Sequence, residues 1–203
     1  MKLHLLLTVV AFAGGMAFQQ QTGTKEKPVD WGENPMENPE FLKAMEAAAA
    51  LRPEHAEIAK TAGTWDVENK MTMQPGAEPV SFSGTSTNRM VLGGRYLVEE
   101  YKSELMGMPF EGILILGYDN LADEYVSIWF DNMSTWPSIA RGKKQTDGKV
   151  VQTGEMKDVL TPGGRPYRHV SWEEGDELRG TMYDTLPDGT EFVMMEMTYR
   201  RKK

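Results

Sequence analysis

The sequence predicts a mainly β protein, an antiparallel up-and-down β-barrel of about ten strands preceded by short α-helices. Three observations predict it. After Gly63 the apolar period changes from about 3.6 residues to 2. Turn signals then recur at strand-length intervals: Pro75-Gly76, Gly93-Gly94, Asp119-Asn120, Asp147-Gly148, Pro162-Gly163-Gly164 and Pro187-Asp188-Gly189. No long amphipathic helix interrupts the strands, which argues against βαβ units and for a meander. Such a meander either stacks as two sheets or closes into a barrel. Closure is the simpler way to remove exposed edges.

Residues 1–17 read as an export signal. Lys2 supplies the positive end, Leu5 to Phe12 the apolar run, and Gly15 and Ala17 the small residues before a cut. The run is shorter than the roughly 20 residues of a membrane span. Residues 18–37 follow as a polar, flexible leader interrupted by Pro28 and Pro35. Residues 38–62 form a helical segment. Asn38 caps it, Pro39 occupies the first turn, and Glu40 sits at the positive helix end. Phe41, Met45, Ala48 and Leu51 recur at helical spacing, and Pro53 restarts the helix, which Gly63 ends.

The barrel occupies residues 63–203. Trp65, Val67, Asn69, Met71 and Met73 share one face of the first strand. Strands follow at 80–91, 95–105, 110–118, 124–130, 137–144, 150–157, 167–172, 178–184 and 192–200. Alternation is blurred in Gly112-Ile113-Leu114-Ile115-Leu116-Gly117, which is apolar on both faces. In the last strand Val193, Met195, Met197 and Tyr199 are assigned to the inner face.

Composition excludes several function classes. With no Cys there is no thiol nucleophile, disulfide or Cys-ligated metal site, and an exported chain must hold together by its core alone. Three His, one of them in the export segment, leave little for a metal cluster. No cofactor is expected. The formal charge of -8 argues against a nucleic-acid partner. The short basic runs Lys143-Lys144 and Arg200 to Lys203 do not change that balance. A hydrolase would need a nucleophile elbow, which is absent, or a pair of acids drawn from Glu99, Glu100, Asp131 and Glu155. The sequence leaves enzyme activity uncertain, with the weight against it.

A set of motifs narrows the family. It comprises Leu92-Gly93-Gly94-Arg95-Tyr96, Phe110-Glu111-Gly112, Leu116-Gly117-Tyr118-Asp119, Trp129-Phe130-Asp131-Asn132-Met133 and Met182-Tyr183-Asp184. The tail adds Pro187-Asp188-Gly189 and Met194 to Tyr199. Over roughly residues 40–203 the chain resembles the bacterial family called domain of unknown function 1579. Phe130 departs from a position where that family more often carries Ile. The resemblance implies a calycin-like barrel, often in exported proteins. It supplies no catalytic residues.

Candidate binding residues come from strand parity. Trp129, Asp131 and Met133 share parity at a strand end, where aromatic walls and a few polar groups would rim a cavity. The alternative is a turn with Asp131 satisfying its own backbone and the Trp residues as core plugs. Glu99 and Tyr101 share a face with Leu97; an inward Glu99 must be paired or hydrogen-bonded. Arg89 and Arg168 are its candidate partners, and an inward Arg would suit a carboxylate ligand. The alternative for both is an outward side chain in a surface ion pair. His169 could ligate a haem iron, but one His makes no motif. The 15 Met residues fit core packing at their spacing.

Two readings follow. One is an exported, periplasmic or extracellular barrel that binds a small apolar or amphipathic ligand. The other is a structural or interaction module with its core filled by Trp65, Leu97, Leu116, Met195 and Tyr199. A homodimer is compatible with either, and stable membrane insertion after signal cleavage with neither.

Overall fold

The computed structural model describes residues 34–159 and 161–203. The expected export signal and residues 18–33 of the leader lie outside the described residues. The chain divides into two compact units, one ending at Leu42 and one running from Lys43 to Lys203. Helix α1 spans Pro39–Ala49. Asn38 Oδ1 accepts from the Glu40 and Phe41 backbone N–H groups at 2.9 and 3.3 Å, satisfying donors that a helix start leaves open.

In the second unit, helix α2 (Pro53–Lys60) precedes ten strands. They are β1 (Gly63–Met71), β2 (Val80–Val91), β3 (Tyr96–Leu105), β4 (Met108–Asp119), β5 (Glu124–Asp131), β6 (Ser138–Lys144), β7 (Val150–Met156), β8 (Arg165–Glu174), β9 (Glu177–Thr185) and β10 (Glu191–Arg201). Each pairs antiparallel with its neighbour in sequence, and β1 pairs with β10 to close the barrel. The up-and-down architecture expected from the alternation is the one adopted.

Register determines which face is inside. Trp65, Val67 and Asn69 are buried while Asp66, Glu68 and Lys70 are exposed. Following the pairs from these residues carries the inner face round the barrel. Ser86 lies opposite Trp65, Tyr101 opposite Ser86, Leu97 opposite Met90 and Leu116 opposite Leu97. The blurred β4 resolves the same way: Leu114 and Leu116 point in, and Ile113, 45% exposed, points out.

The last strand departs from simple alternation. A β-bulge between Val193 and Met195 inserts one extra residue against β9. Met195, Met197 and Tyr199 keep the inner parity, but Phe192 then lies opposite the buried Asp184, and Val193 is 39% exposed. Val193 is therefore an outer residue, contrary to the reading from periodicity alone.

One end of the barrel is closed by α2. Ile58 packs with Leu97 and Tyr125, and His55, 5% exposed, meets Tyr118 edge-on with ring centroids 6.0 Å apart. The Trp65 indole N–H donates to the Thr61 carbonyl at 2.9 Å. Arg201 stacks on Trp65 at 4.2 Å and donates to the Ala62 and Lys60 carbonyls. Arg95 and Asn120 tie the end of α1 to the same rim through the Ala48, Ala49 and Ala50 carbonyls. These bonds satisfy orphaned helix carbonyls and fix the plug.

Candidate functional site

The inner wall falls into two arcs. Along β1 to β3 most of it is dry: Trp65, Val67, Asn69, Ser86, Asn88, Leu97, Glu99 and Tyr101 are buried, while Met71, Phe82, Met90 and Ser103 are half-buried. Aromatic packing fills this side. Tyr101, Phe110 and Trp129 meet with ring centroids 6.0 to 6.4 Å apart, and Trp65, Val67, Leu178 and Tyr199 join the same cluster. Along the other arc many inward side chains stay partly accessible although they face the interior of a closed barrel. Ser127, Val150, His169, Ser171, Met182, Met195 and Met197 are the clearest.

A polar network is built into the dry arc. The Tyr199 hydroxyl donates to Glu99 Oε1 at 3.3 Å, the Ser86 hydroxyl to Asn88 Oδ1 at 2.6 Å, and Asn88 Nδ2 to the Thr61 carbonyl. Asn69 Nδ2 donates to the Tyr101 hydroxyl at 2.8 Å. Burial raises the Glu99 pKa, and the contacts with Ser86 and Tyr199 oppose that rise without cancelling it. Burial, with Glu99 alongside, also pushes Tyr199 well above the usual tyrosine range. The network therefore favours neutral groups linked by hydrogen bonds.

The accessible arc carries a different chemistry. One row of cross-strand neighbours runs Met71, Met195, Met182, His169, Gln152 across β1, β10, β9, β8 and β7. The row places three thioethers beside an imidazole and an amide. A Cβ at Gly180 would lie 3.1 Å from His169 Nε2 and 2.9 Å from Met197 Cε, so the absence of a side chain there lets both rest against β9. Burial lowers the His169 pKa to about 4, keeping the ring neutral. Gln152 is 3% exposed, and its Nε2 has no hydrogen-bond partner among the described residues. At the far end of the barrel Arg165 is held by Asp158 and by Asp184, the latter at 2.7 Å.

The residues singled out from sequence do not all converge. Glu99 and Tyr101 are inside, as their shared parity with Leu97 requires. Trp129 is inside, with its indole N–H donating to Asp131 Oδ2 at 2.9 Å. Asp131 Oδ1 accepts the Met133 backbone N–H at 2.9 Å, so this carboxylate ties down its own loop. Met133 is 54% exposed. Arg89 and Arg168 are not partners of Glu99. Arg89 lies on the outer wall 3.5 Å from Glu100. Arg168 lies outside too, paired with Glu191 at 2.6 Å and stacked 3.8 Å over Tyr183. Glu155 also points outward, toward Lys157. Of the four acids a hydrolytic pair would draw on, Glu99 sits inside the barrel wall and Asp131 binds its own loop.

Parity could not orient the two arginines because both faces of their strands carry apolar residues. Val170, which shares Arg168's parity, is 8% exposed on the outer wall. Gln152, Ser86, Asn88 and Asn69 escaped notice as site residues. Their one sequence signal is a polar side chain at the inner parity of a β-strand.

The outer wall carries two shallow grooves. One, of about 360 Å³, runs over β1, β10, β9 and β8 among Glu68, Lys70, Trp172, Arg179 and Arg200. The other, of about 450 Å³, lies over β1 to β3 near Asp66, Glu68, Thr85 and Lys102. Ion pairs such as Arg200 with Glu68 and Glu177 occupy their polar groups. Among the described residues no cluster of three or more His, Cys, Asp or Glu is placed to hold a metal. No described helix is long and apolar enough to cross a membrane.

Comparison with known proteins agrees with this architecture. The crystal structure of Rv2717c from M. tuberculosis aligns with a TM-score of 0.56 at 13% identity, covering 76% of this chain and all of that one. At that identity the likeness is one of fold. No curated protein matches the chain. The model of the family described as protein of unknown function (DUF1579) matches residues 50–201, the helical plug and all ten strands. The chain belongs to that family.

Proposed function

We propose that this chain is an exported binding protein that holds a small apolar or amphipathic molecule inside its barrel and performs no chemistry on it. One observation carries the reading: Ser127, Val150, His169, Ser171, Met182, Met195 and Met197 face the interior yet remain partly accessible, although Tyr125, Ala140, Gln152, Tyr167 and Asp184 beside them are buried. A barrel of this strand number has room for one small ligand. The lining mixes the Met and Val side chains with Ser, His and Gln groups, which suits an amphipathic molecule. Export rests on the pattern of residues 1–17.

Native mass spectrometry of protein purified from its own exported form tests this. A reproducible extra mass that disappears on denaturation is the expected result. The bare mass of the processed chain, unchanged after incubation with amphipathic probes, overturns it. The denatured mass also locates the signal cut.

The outer wall favours a second reading, that of an interaction module. Ile113 pairs with Phe130, and Ile128 with Ile139, and the first, second and fourth of these are 45%, 41% and 46% exposed. A contiguous apolar patch of this kind marks contact surfaces. Sedimentation of the purified chain separates the readings: a tight assembly that Ile113→Ser dissolves, with no ligand in the barrel, favours the module.

A further inference from the structure

We propose that Gln152 and His169 form a polar anchor inside the barrel for the head of an uncharged amphipathic ligand, and that the same interior rejects anions. The inference rests on the binding reading above and names the ligand class.

One buried group in this wall folds without a partner. Gln152 is nearly fully buried and its Nε2 makes no hydrogen bond among the described residues. Leaving a buried amide donor unpaired is unfavourable, so a purely structural position would favour Leu or Met. Gln152 lies directly opposite His169 in the β7–β8 register. Burial keeps that imidazole neutral, so it offers one donor and one acceptor. The two residues are cross-strand neighbours by register, with the His169 ring resting against Gly180 on the β9 side. A head that both accepts and donates hydrogen bonds, such as a primary amide or an alcohol, matches this pair. The thioethers of Met182, Met195 and Met197 lie on neighbouring strands and suit an apolar tail.

The charges on the inner wall decide against a carboxylate head. Of the inward-facing cations, Arg165 is clamped by Asp158 and Asp184. Arg201 is spent on Trp65 and two carbonyls at the plugged end. Lys144, at the inner parity of β6, is held by Glu57 at 2.9 Å. The carboxyl groups left inside are Glu99 and Asp131. Arg89 and Arg168, which would have received a carboxylate, are on the outer wall. An anionic head would therefore enter without a counter-charge, at the desolvation cost of an unpaired ion.

The test compares two probes of equal chain length, decanamide and decanoate, at about pH 8 by isothermal titration calorimetry. Wild type, Gln152→Leu and Met182→Trp are measured together. Decanamide is expected to bind at least about tenfold more tightly than decanoate. Gln152→Leu is expected to cost decanamide about tenfold while raising the melting temperature of the ligand-free protein by about 2–4 °C. That pair of opposite effects is what a merely structural glutamine would not produce. Met182→Trp, which fills the interior, is expected to abolish binding of both probes. Equal binding of the two probes, or a Gln152→Leu variant with unchanged decanamide affinity, overturns the anchor. If Met182→Trp still blocks binding in that case, the interior binding reading stands. Failure of both probes to bind wild type overturns both.

Discussion

Acid should destabilise this fold through one histidine. His169 faces the interior between Gln152 on β7 and Met182 on β9, neither of which titrates. Burial lowers its pKa from 6.5 to about 4. The folded state thus prefers the neutral ring, and the unfolded chain binds the proton more readily. Stability from this group is complete above about pH 6.5 and is lost as pH falls toward 4. His169 keeps some accessible surface, so a shift of this size sets an upper bound of about 3 kcal/mol across that window. The assay is urea unfolding of wild type and His169→Leu at several pH values between about 8 and 4. Carboxylates that titrate in the same range are common to both proteins and cancel in the difference. The stability difference between the two is expected to change by up to about 3 kcal/mol in favour of the variant as pH drops. Parallel curves would refute the reasoning, because they would mean the ring is hydrated and titrates as it does in the unfolded chain.

Glu99 should behave with the opposite sign. Its pKa is raised, so its contribution is present at low pH and lost as pH rises above the ordinary carboxyl range. Glu99→Gln should therefore melt higher than wild type at about pH 8, with the advantage vanishing toward pH 4. Leu97, 1% exposed under the α2 plug, should cost about 2–5 kcal/mol when cut to Ala, measured as a lower urea midpoint at unchanged slope. Gly142→Ala should cost about 3 kcal/mol or prevent folding, since its Cβ would overlap the Val151 carbonyl of β7. Arg168→Ala should cost only about 1 kcal/mol and leave probe binding intact, because the pair with Glu191 and the stack on Tyr183 lie on the outer wall.

The strands were legible because their two-residue period and their turns are local properties of the chain. β2, β3, β5 and β6 begin and end within a residue or so of where the pattern places them. The two helices were legible for the same reason, through Asn38, Pro39 and Pro53; that α2 closes one end of the barrel was not. What the pattern lacks is a reference for which parity faces in. β1 supplies it, with charged residues on one face only. β8 does not, since Val170 and Trp172 alternate with His169 and Ser171. The bulge at Met194 was invisible because an extra residue in one strand is defined only against its partner. The row Met71, Met195, Met182, His169, Gln152 spans five strands scattered from residue 71 to residue 195. Only closure of the barrel between β1 and β10 brings it together.

The most direct test of a partly open interior is a crystal structure of the protein equilibrated with xenon, which enters apolar cavities large enough to hold it. Density inside the barrel near Met182 and Met197, with water or a retained molecule at the Gln152 amide, is the predicted result. An interior without density, in which side chains of the β5 to β10 arc meet across the barrel and Gln152 is bonded to protein, would contradict it.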